Sequence, residues 1–268
     1  MNIQKLEQLA AQGDKEAQYN LGVLYHNGKG VAQDFEKSIL YFKTAADQGF
    51  AKAQFNLAVY YTTGEGVPQD LEEAARWYDL AAKGGLSNAQ YQLAMCYSYG
   101  RGVPQCYNTA ANYFKKAAKQ GDAHSQYNLA VYYTYGKGVD RDPLKAFEWY
   151  NASAIQGFAN AQYQLALCYQ NGEGVAVDYG MAIEFCRQAA NQGLANAQYH
   201  MGACFESGQM VQQDFAAAAS WYQMAANQGN EKAREALATR FEKDMYGKWV
   251  AKYDNFYASE TGDSNNYS

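Results

Sequence analysis

The sequence has few prolines and no long apolar segment, and each shortage excludes a class of structure. Three prolines occur in 268 residues, so helices can continue with few interruptions. No apolar run approaches the roughly 20 residues that a membrane-spanning helix requires. Residues 1–8 include an acidic side chain and no apolar core, unlike a secretory signal. We therefore expect a protein that makes no membrane contact and is cytoplasmic, or exported by a route that needs no N-terminal signal.

The sequence also lacks an excess of basic charge. It has 22 Lys and Arg against 27 Asp and Glu, which gives a net charge of −5, and the two signs are interspersed. Nucleic-acid binding proteins carry a basic stripe that neutralises phosphates. We therefore expect no nucleic-acid partner.

Cysteine is scarce, and the positions of the cysteines do not indicate disulfide pairs. The five cysteines are an odd number and form no CxxC motif, and Cys96, Cys168 and Cys204 are separated by multiples of 36 residues. This usage predicts reduced, apolar core residues in a cytosolic protein. A disulfide between Cys168 and Cys186 is the alternative.

Motifs for catalysis, cofactors and metals are missing. The Gly-Lys-Gly triplets that begin at Gly28 and Gly136 follow apolar helical patterns and lack the Lys-Ser/Thr of a phosphate-binding loop. His26, His124 and His200 fall at three different positions of the repeat, so they form no recurring set of metal ligands. No Ser-x-x-Lys or Gly-x-Ser-x-Gly occurs. The sequence predicts a non-enzymatic protein with no cofactor, no metal and no catalytic residue.

What the sequence does contain is one pattern, Ala-Gln-aromatic-x-Leu-Ala, that recurs with small changes every 36 residues without insertion. A period of 20 to 50 residues is typical of solenoids. The six copies, numbered one to six, are 17–52, 53–88, 89–124, 125–160, 161–196 and 197–232.

Copy two shows the predicted structure of each unit. Ala53, Leu57 and Tyr61 form one apolar helical stripe. The segment from Gly64 to Val67 forms a loop, and Asp70 can cap a second helix, whose small alanines alternate with aromatic residues. Each copy is too small to bury its own apolar face, so successive helix–loop–helix copies must stack.

The two ends and two local departures carry further expectations. Residues 1–16 read as an N-terminal capping helix, 233–258 as C-terminal capping helices, and 259–268 as a disordered tail. In copy three, Cys106 replaces the capping Asp, so Asn108 is expected to cap a helix that starts late. In copy six, Met210 replaces a loop glycine, which predicts a different backbone path.

The combined pattern resembles the Sel-1-like repeat, a relative of the tetratricopeptide repeat. It reads Ala-x-x-x-Leu-Gly/Ala-x-x-Tyr-x-x-Gly-x-Gly-Val-x-x-Asp, followed by Ala-x-x-Trp-Tyr-x-x-Ala-Ala-x-x-Gly. The resemblance implies an all-α, right-handed α/α superhelix, with first helices on the concave surface and second helices on the convex one. It also implies a protein-protein interaction scaffold or adaptor that binds a protein or peptide. Similar proteins include bacterial effectors and immunity proteins that neutralise a toxin. A cysteine-rich branch includes members with weak β-lactamase activity, which makes a hydrolase of this type a further alternative, but this chain lacks the paired cysteines of that branch.

The side of each first helix that faces away from the apolar stripe predicts the partner-binding surface. One row on it is aromatic and a second row carries an amide, which can donate to and accept from an extended peptide. The aromatic row could instead wedge between copies, whereas the repeated glutamines that begin with Gln18 and Gln54 are expected to hydrogen-bond between copies. The candidate contact residues are Asn56, Tyr60, Tyr91, Gln92, Tyr99, Tyr127, Asn128, Tyr132, Tyr135, Tyr163 and Gln164, with a predicted centre in copies three and four.

Overall fold

The computed structural model describes residues 3–243 and 247–252. In that part of the chain there are fourteen α-helices and two short β-strands, so the all-α prediction is confirmed. The helices are α1 (Ile3–Ala11), α2 (Lys15–Asn27), α3 (Phe35–Asp47), α4 (Ala51–Thr63), α5 (Leu71–Lys83), α6 (Ser87–Tyr99), α7 (Tyr107–Lys119), α8 (Ala123–Tyr135), α9 (Pro143–Ala154), α10 (Ala159–Asn171), α11 (Tyr179–Asn191), α12 (Ala195–Ser207), α13 (Phe215–Asn227) and α14 (Glu231–Arg240). The strands are β1 (Phe241–Lys243) and β2 (Trp249–Ala251).

The chain divides into two compact units, Met1–Asp142 and Pro143–Ser268. In the first unit, α2 pairs with α3, α4 with α5, and α6 with α7, and each hairpin packs on the next. In the second unit, α10 pairs with α11 and α12 with α13, while α9 packs on α10 and α14 on α13. Both units are therefore stacks of helical hairpins.

The core of each unit combines one large apolar residue from every first helix with alanines from every second helix. In the first unit, Leu57 and Leu93 are almost fully buried, and Ala81 and Ala117 lie fully buried on the neighbouring second helices. The missing bulk at the alanines lets the helices approach closely. The apolar stripe that was predicted from copy two is the stripe that is buried.

The second glycine of the Gly-x-Gly loop holds the copies close together. Gly102 and Gly138 have positive φ angles of 70° and 65°, and a Cβ atom at either would overlap the backbone carbonyl group of Leu71 or Tyr107 on the preceding second helix. The prediction of a different backbone path at Met210 is wrong, because the φ angle of Met210, 66°, matches that of the glycines in the other copies. Its side chain packs against the core cluster around Ile183, and this burial offsets the strain of a left-handed residue, about 1–2 kcal/mol.

Helix α7 begins in the same register as the other second helices, at Tyr107, with Cys106 as its N-cap. The expected late start with Asn108 as the cap is therefore wrong. Packing of Ala110 and Phe114, both buried, fixes the helix without a side-chain cap, whereas Asp70 caps α5 by accepting from the N–H groups of Glu72 and Glu73.

The repeated glutamine is a hydrogen-bonding residue between copies, as predicted. In every copy its Nε2 donates across 3.1 to 3.3 Å to a carbonyl oxygen at the end of the preceding helix. The acceptors are Ala10, Ala46, Ala82, Ala118, Ala154 and Ala190. These buried amides satisfy carbonyl groups that a helix C-terminus otherwise leaves unpaired.

The C-terminal region differs from its predicted helices. Helix α14 ends at Arg240, and β1 pairs antiparallel with β2, with Phe241 opposite Ala251. The aromatic spacing suggested a helix, but Gly247, with a φ of 76°, lies between the strands, and Trp249 packs on the core beside Phe241. The rest of the predicted closing helix and the predicted disordered tail lie outside the described residues.

Candidate functional site

The candidate surface in the first unit is built on two consecutive first helices, α6 and α8. We call it the first-helix face and define it by Tyr91, Gln92 and Tyr99 on α6 and by Tyr127, Asn128 and Tyr135 on α8. Tyr99 and Tyr135 end their helices and are 60% and 68% exposed. The other four are half-buried. Neither helix carries a Lys, Arg, Asp or Glu, so this face presents rings and amides.

The aromatic row is half-buried, and its rings contact the next first helix as well as their own copy. The Tyr91 ring lies 5.8 Å from the His124 ring on α8. Tyr91 packs its ring against Phe114 of the same copy, with centroids 6.0 Å apart, and keeps one side in solvent. Burial raises the pKa of Tyr91, and to a lesser extent the charge of Asp122 does as well. Phe55 and Tyr78 form the same pair in copy two, at 5.7 Å. These rings therefore pack against the second helix of their own copy, and Tyr91 also packs against the next first helix, while part of each ring stays exposed.

The amide row is half-buried on successive first helices. Asn128 donates from Nδ2 to the carbonyl oxygen of His124 on its own helix across 2.8 Å, which fixes its orientation. Asn56 and Gln92 have no side-chain hydrogen bond within the described part of the chain. These two amides have both a donor and an acceptor available for a peptide backbone.

Tyr60 and Tyr132 were expected on the exposed face, and this expectation is wrong. They are 4% and 5% exposed, because each fills space beside a phenylalanine of the preceding second helix. Tyr60 lies 6.1 Å from Phe42 and Tyr132 lies 5.4 Å from Phe114. Burial raises the pKa of both hydroxyls, so they stay protonated at neutral pH.

Tyr60 nevertheless reaches a cavity of about 290 Å³ between α2 and α4, which Asn56 also lines. Its hydroxyl lies 2.7 Å from Nδ1 of His26 and 2.9 Å from Oγ of Ser38. Ser38 in turn donates to the carbonyl oxygen of Gly22. This network anchors the cavity floor, and sequence patterns gave no sign of it because its members come from three separate helices.

In the second unit, the predicted residues Tyr163 and Gln164 lie half-buried on α10. Tyr163 makes an edge contact with His200 at 5.8 Å, and burial raises its pKa to about 12. It also lines an open cavity of about 400 Å³ together with Tyr199 and Asn230. Burial lowers the pKa of His200, which favours its neutral form.

Arg101, Tyr107 and Lys137 were missed as candidate residues although they border the first-helix face. The guanidinium of Arg101 lies 5.1 Å from the Tyr99 ring, and Nζ of Lys137 lies 6.0 Å from both the Tyr107 and the Tyr135 rings. The sequence signal was available: both cations occupy the middle of a Gly-x-Gly loop directly after an aromatic helix end. It was read as a helix-ending turn and nothing more.

Membrane-spanning helices and metal-binding clusters are both absent from the described residues. No helix there is both long and apolar enough to cross a membrane. No group of three or more His, Cys, Asp or Glu side chains is placed to hold a metal ion. The five cysteines are free thiols, so the alternative of a disulfide between Cys168 and Cys186 does not hold.

Three solved structures of bacterial proteins are similar to this chain. A protective antigen of uropathogenic Escherichia coli with an SLR fold is 35% identical, with a TM-score of 0.85 over 96% of this chain, and this chain spans 56% of that protein's length. A Sel1 repeat protein from Oxalobacter formigenes is 31% identical, with a TM-score of 0.71 over 81% of this chain and 86% of its own. An immunity protein from Pseudomonas aeruginosa is 23% identical, with a TM-score of 0.47 over 81% of this chain and 82% of its own. A comparison with curated protein sequences found no match.

The family assignment follows from the repeats themselves. The Sel1 repeat model matches residues 15–50, 51–86, 87–122, 123–158, 159–194 and 195–230, which are the predicted copies shifted by two residues. Proteins of this kind are generally protein-interaction scaffolds, and the solenoid fold is typically non-catalytic. The chain belongs to the Sel1-repeat family.

Proposed function

We propose that this chain is a protein-interaction scaffold that binds a protein or peptide partner on the first-helix face of the first unit. The observation that supports it most is the exposure of Tyr99 and Tyr135 at the ends of consecutive first helices. Tyrosine supplies a large, flat contact area at a low cost in side-chain entropy, and interface hot spots are enriched in it.

The amides add directional contacts to this aromatic surface. Gln92 and Asn128 recur one copy apart, so an extended peptide that crosses both helices meets an amide at each step. The ring of Tyr91 is already held by packing on Phe114, so little further ordering is needed when a partner binds. A pre-formed, uncharged, ring-and-amide surface suits protein recognition.

The test begins with affinity purification from the native host and identification of co-purifying proteins by mass spectrometry. The dissociation constant of each purified candidate is then measured by calorimetry. Replacing Asn128 and Tyr135 together by alanine should weaken binding about tenfold or more, because the variant loses both a tyrosine ring and an amide from the same contact surface. Circular dichroism should show an unchanged helical content, since both side chains lie at the surface.

A matched control distinguishes the loss of contacts on the first-helix face from the effect of removing exposed side chains elsewhere. Asn112 on α7 and Tyr179 on α11 are the same residue types, exposed on second helices. Their double alanine variant should bind within about twofold of the unchanged protein. Equal affinity of the Asn128→Ala/Tyr135→Ala variant and the unchanged protein would mean that the first-helix face is not the binding site.

A further inference from the structure

Basic charge is concentrated in one part of this acidic chain. Residues 99–141 contain six Lys and Arg against two Asp and Glu, whereas the whole chain has 22 against 27. One of the two acidic residues, Asp122, accepts from the N–H of Ser125 at the N-terminus of α8, at the opposite end of that helix from Tyr135. The other, Asp140, lies three residues beyond Lys137 and is exposed. This segment is therefore locally positive.

Two of these cations lie among exposed tyrosine rings. We call Tyr99, Arg101, Tyr107, Tyr135 and Lys137 the cation–tyrosine patch. The three rings are 60%, 39% and 68% exposed. Arg101 lies over the Tyr99 ring, and Lys137 is at equal distance from the rings of Tyr107 and Tyr135. Such exposed cation–π contacts contribute only about 0.5–1 kcal/mol. They therefore position the cations and leave their N–H groups available to a ligand.

Neither cation is neutralised within the described part of the chain. No carboxylate lies within ion-pair distance of Arg101 or Lys137 there, whereas Arg76 and Lys83 on α5 pair with Glu73 and Asp79. The acidic residue of the preceding loop, Glu65, is exposed and forms no ion pair with Arg101. Two unpaired cations held above rings form a surface that is suited to carboxylates.

The patch is continuous across the two copies. The Tyr132 hydroxyl lies 2.6 Å from Oγ of Ser98, and its ring makes an edge contact with Tyr107 at 6.1 Å. Ser98 directly precedes Tyr99 at the end of α6. The buried Tyr132 is therefore the floor that joins the Tyr99 side of the patch to the Tyr107 side.

We propose that the cation–tyrosine patch binds an acidic peptide segment of the partner, with Asp or Glu carboxylates on Arg101 and Lys137 and the carbon chain across the tyrosine rings. The inference rests on the proposed function, because the patch shares Tyr99 and Tyr135 with the first-helix face. A peptide fits better than a nucleic acid, because the patch offers two cations in a chain with a net charge of −5, and a phosphate backbone needs a longer basic stripe.

The test uses the full chain and three labelled probes in fluorescence anisotropy. The first is a peptide of about ten residues in which Glu alternates with Ser, the second has Gln in place of Glu, and the third is oligothymidylate of similar length. The Glu peptide should bind about tenfold more tightly than the Gln peptide at low salt, and added salt should reduce the difference.

Matched charge variants assign the binding to the patch. Arg101→Gln with Lys137→Gln should weaken binding of the Glu peptide about five- to tenfold. Lys115→Gln with Lys116→Gln removes the same charge from α7, and Lys116 also lies over a tyrosine ring, that of Tyr113, at 4.8 Å. This control pair should change the affinity by less than about twofold.

Three results would overturn the proposal: no preference for the Glu peptide, an equal loss in both charge variants, or tighter binding of oligothymidylate. These are distinguishable from failure of the scaffold function. If an identified partner binds in a way that depends on Asn128 and Tyr135 but is insensitive to Arg101 and Lys137, the scaffold stands and the acidic ligand is wrong.

Discussion

A buried glutamine is an unusual choice for a residue that recurs in every copy, and its hydrogen bonds explain it. Gln90 is 5% exposed, donates to the carbonyl oxygen of Ala82 and accepts from Nε2 of Gln120 across 2.9 Å. Gln54 is 6% exposed and makes the corresponding bond to Ala46, but copy two has Gly84 at the position of Gln120. The two glutamines therefore differ by one hydrogen bond.

Replacing Gln90 by alanine should destabilise the protein by about 2–3 kcal/mol, because the buried carbonyl group of Ala82 loses its partner and Gln120 keeps only its bond to the carbonyl oxygen of Gly85. Replacing Gln54 should cost about 1 kcal/mol less. Urea denaturation followed by circular dichroism measures both free energies of unfolding. A Gln54 variant that is as unstable as the Gln90 variant would contradict this account.

The role of the glutamine could be predicted from sequence, but the burial of Tyr60 and Tyr132 could not be predicted from one helix. Their burial depends on the residue that faces them on the preceding second helix. Phe42 and Phe114 leave room for a tyrosine, whereas Tyr78 faces the smaller Cys96. The exposure of each tyrosine depends on the size of the side chain that faces it on the neighbouring helix. The helical periodicity of one helix carries no information about that side chain.

At the scale of the element, the second helices share one start but not one cap. Asp34, Asp70, Asp178 and Asp214 each accept a hydrogen bond from a backbone N–H of the first turn. Cys106 occupies the equivalent position of α7 without a side-chain bond to the backbone N–H groups, and its Sγ lies 3.1 Å from Oγ1 of Thr109. Packing therefore sets where α7 starts. Because the helix has no side-chain cap, a residue that can cap it should increase the stability of the protein.

Replacing Cys106 by aspartate should stabilise the protein by about 1 kcal/mol, because a carboxylate can accept from the first-turn N–H groups and favours the helix N-terminus. Cys106→Ala is the matched control, and it should change the free energy of unfolding by no more than about 0.5 kcal/mol. Urea denaturation of the three proteins gives the comparison. An aspartate variant no more stable than the alanine variant would show that α7 gains nothing from a cap.

Elements within the repeat could be predicted closely, and elements beyond it could not. Each copy repeats the same apolar stripe and loop, so a pattern that is ambiguous in one copy is resolved by comparison with the other five. The segment after Arg240 occurs once, and its aromatic spacing fits both a helix and a hairpin that places Phe241 and Trp249 on the core. Gly247 was the residue that favoured the hairpin.

At the scale of the whole molecule, buried thiols make the free energy of unfolding depend on pH in the alkaline range. Burial raises the pKa of Cys168 and Cys186 to about 12 and that of Cys204 to about 11. In the unfolded chain a cysteine has a pKa near 8.5. Between these values the folded protein holds protons that the unfolded chain releases, so stability falls as pH rises.

The free energy of unfolding should therefore decline from about pH 9 to pH 11, and replacing Cys186 and Cys204 by alanine should flatten this decline. Each removed thiol should reduce the slope by about 1.4 kcal/mol per pH unit. Denaturation midpoints at a series of pH values give the slope, which does not depend on any constant loss from the smaller side chains. Cys106→Ala should leave the slope unchanged, and an equally steep decline in the double variant would contradict this assignment.

The architecture could be predicted from the period alone because each copy contacts its neighbours in the same way. The binding surface could be predicted only in outline. Tyr99 and Tyr135 are exposed as expected, whereas Arg101 and Lys137 become relevant only when two loops and two helix ends are seen together.

The contact at Gly102 and Gly138 has a consequence for how this protein can diversify. Spacing between these copies is set where a loop backbone meets the backbone of the preceding helix, with no room for a side chain. Residues on the first-helix face take no part in that contact, so they can change without altering the spacing. Ligand preference and architecture can therefore evolve independently, copy by copy.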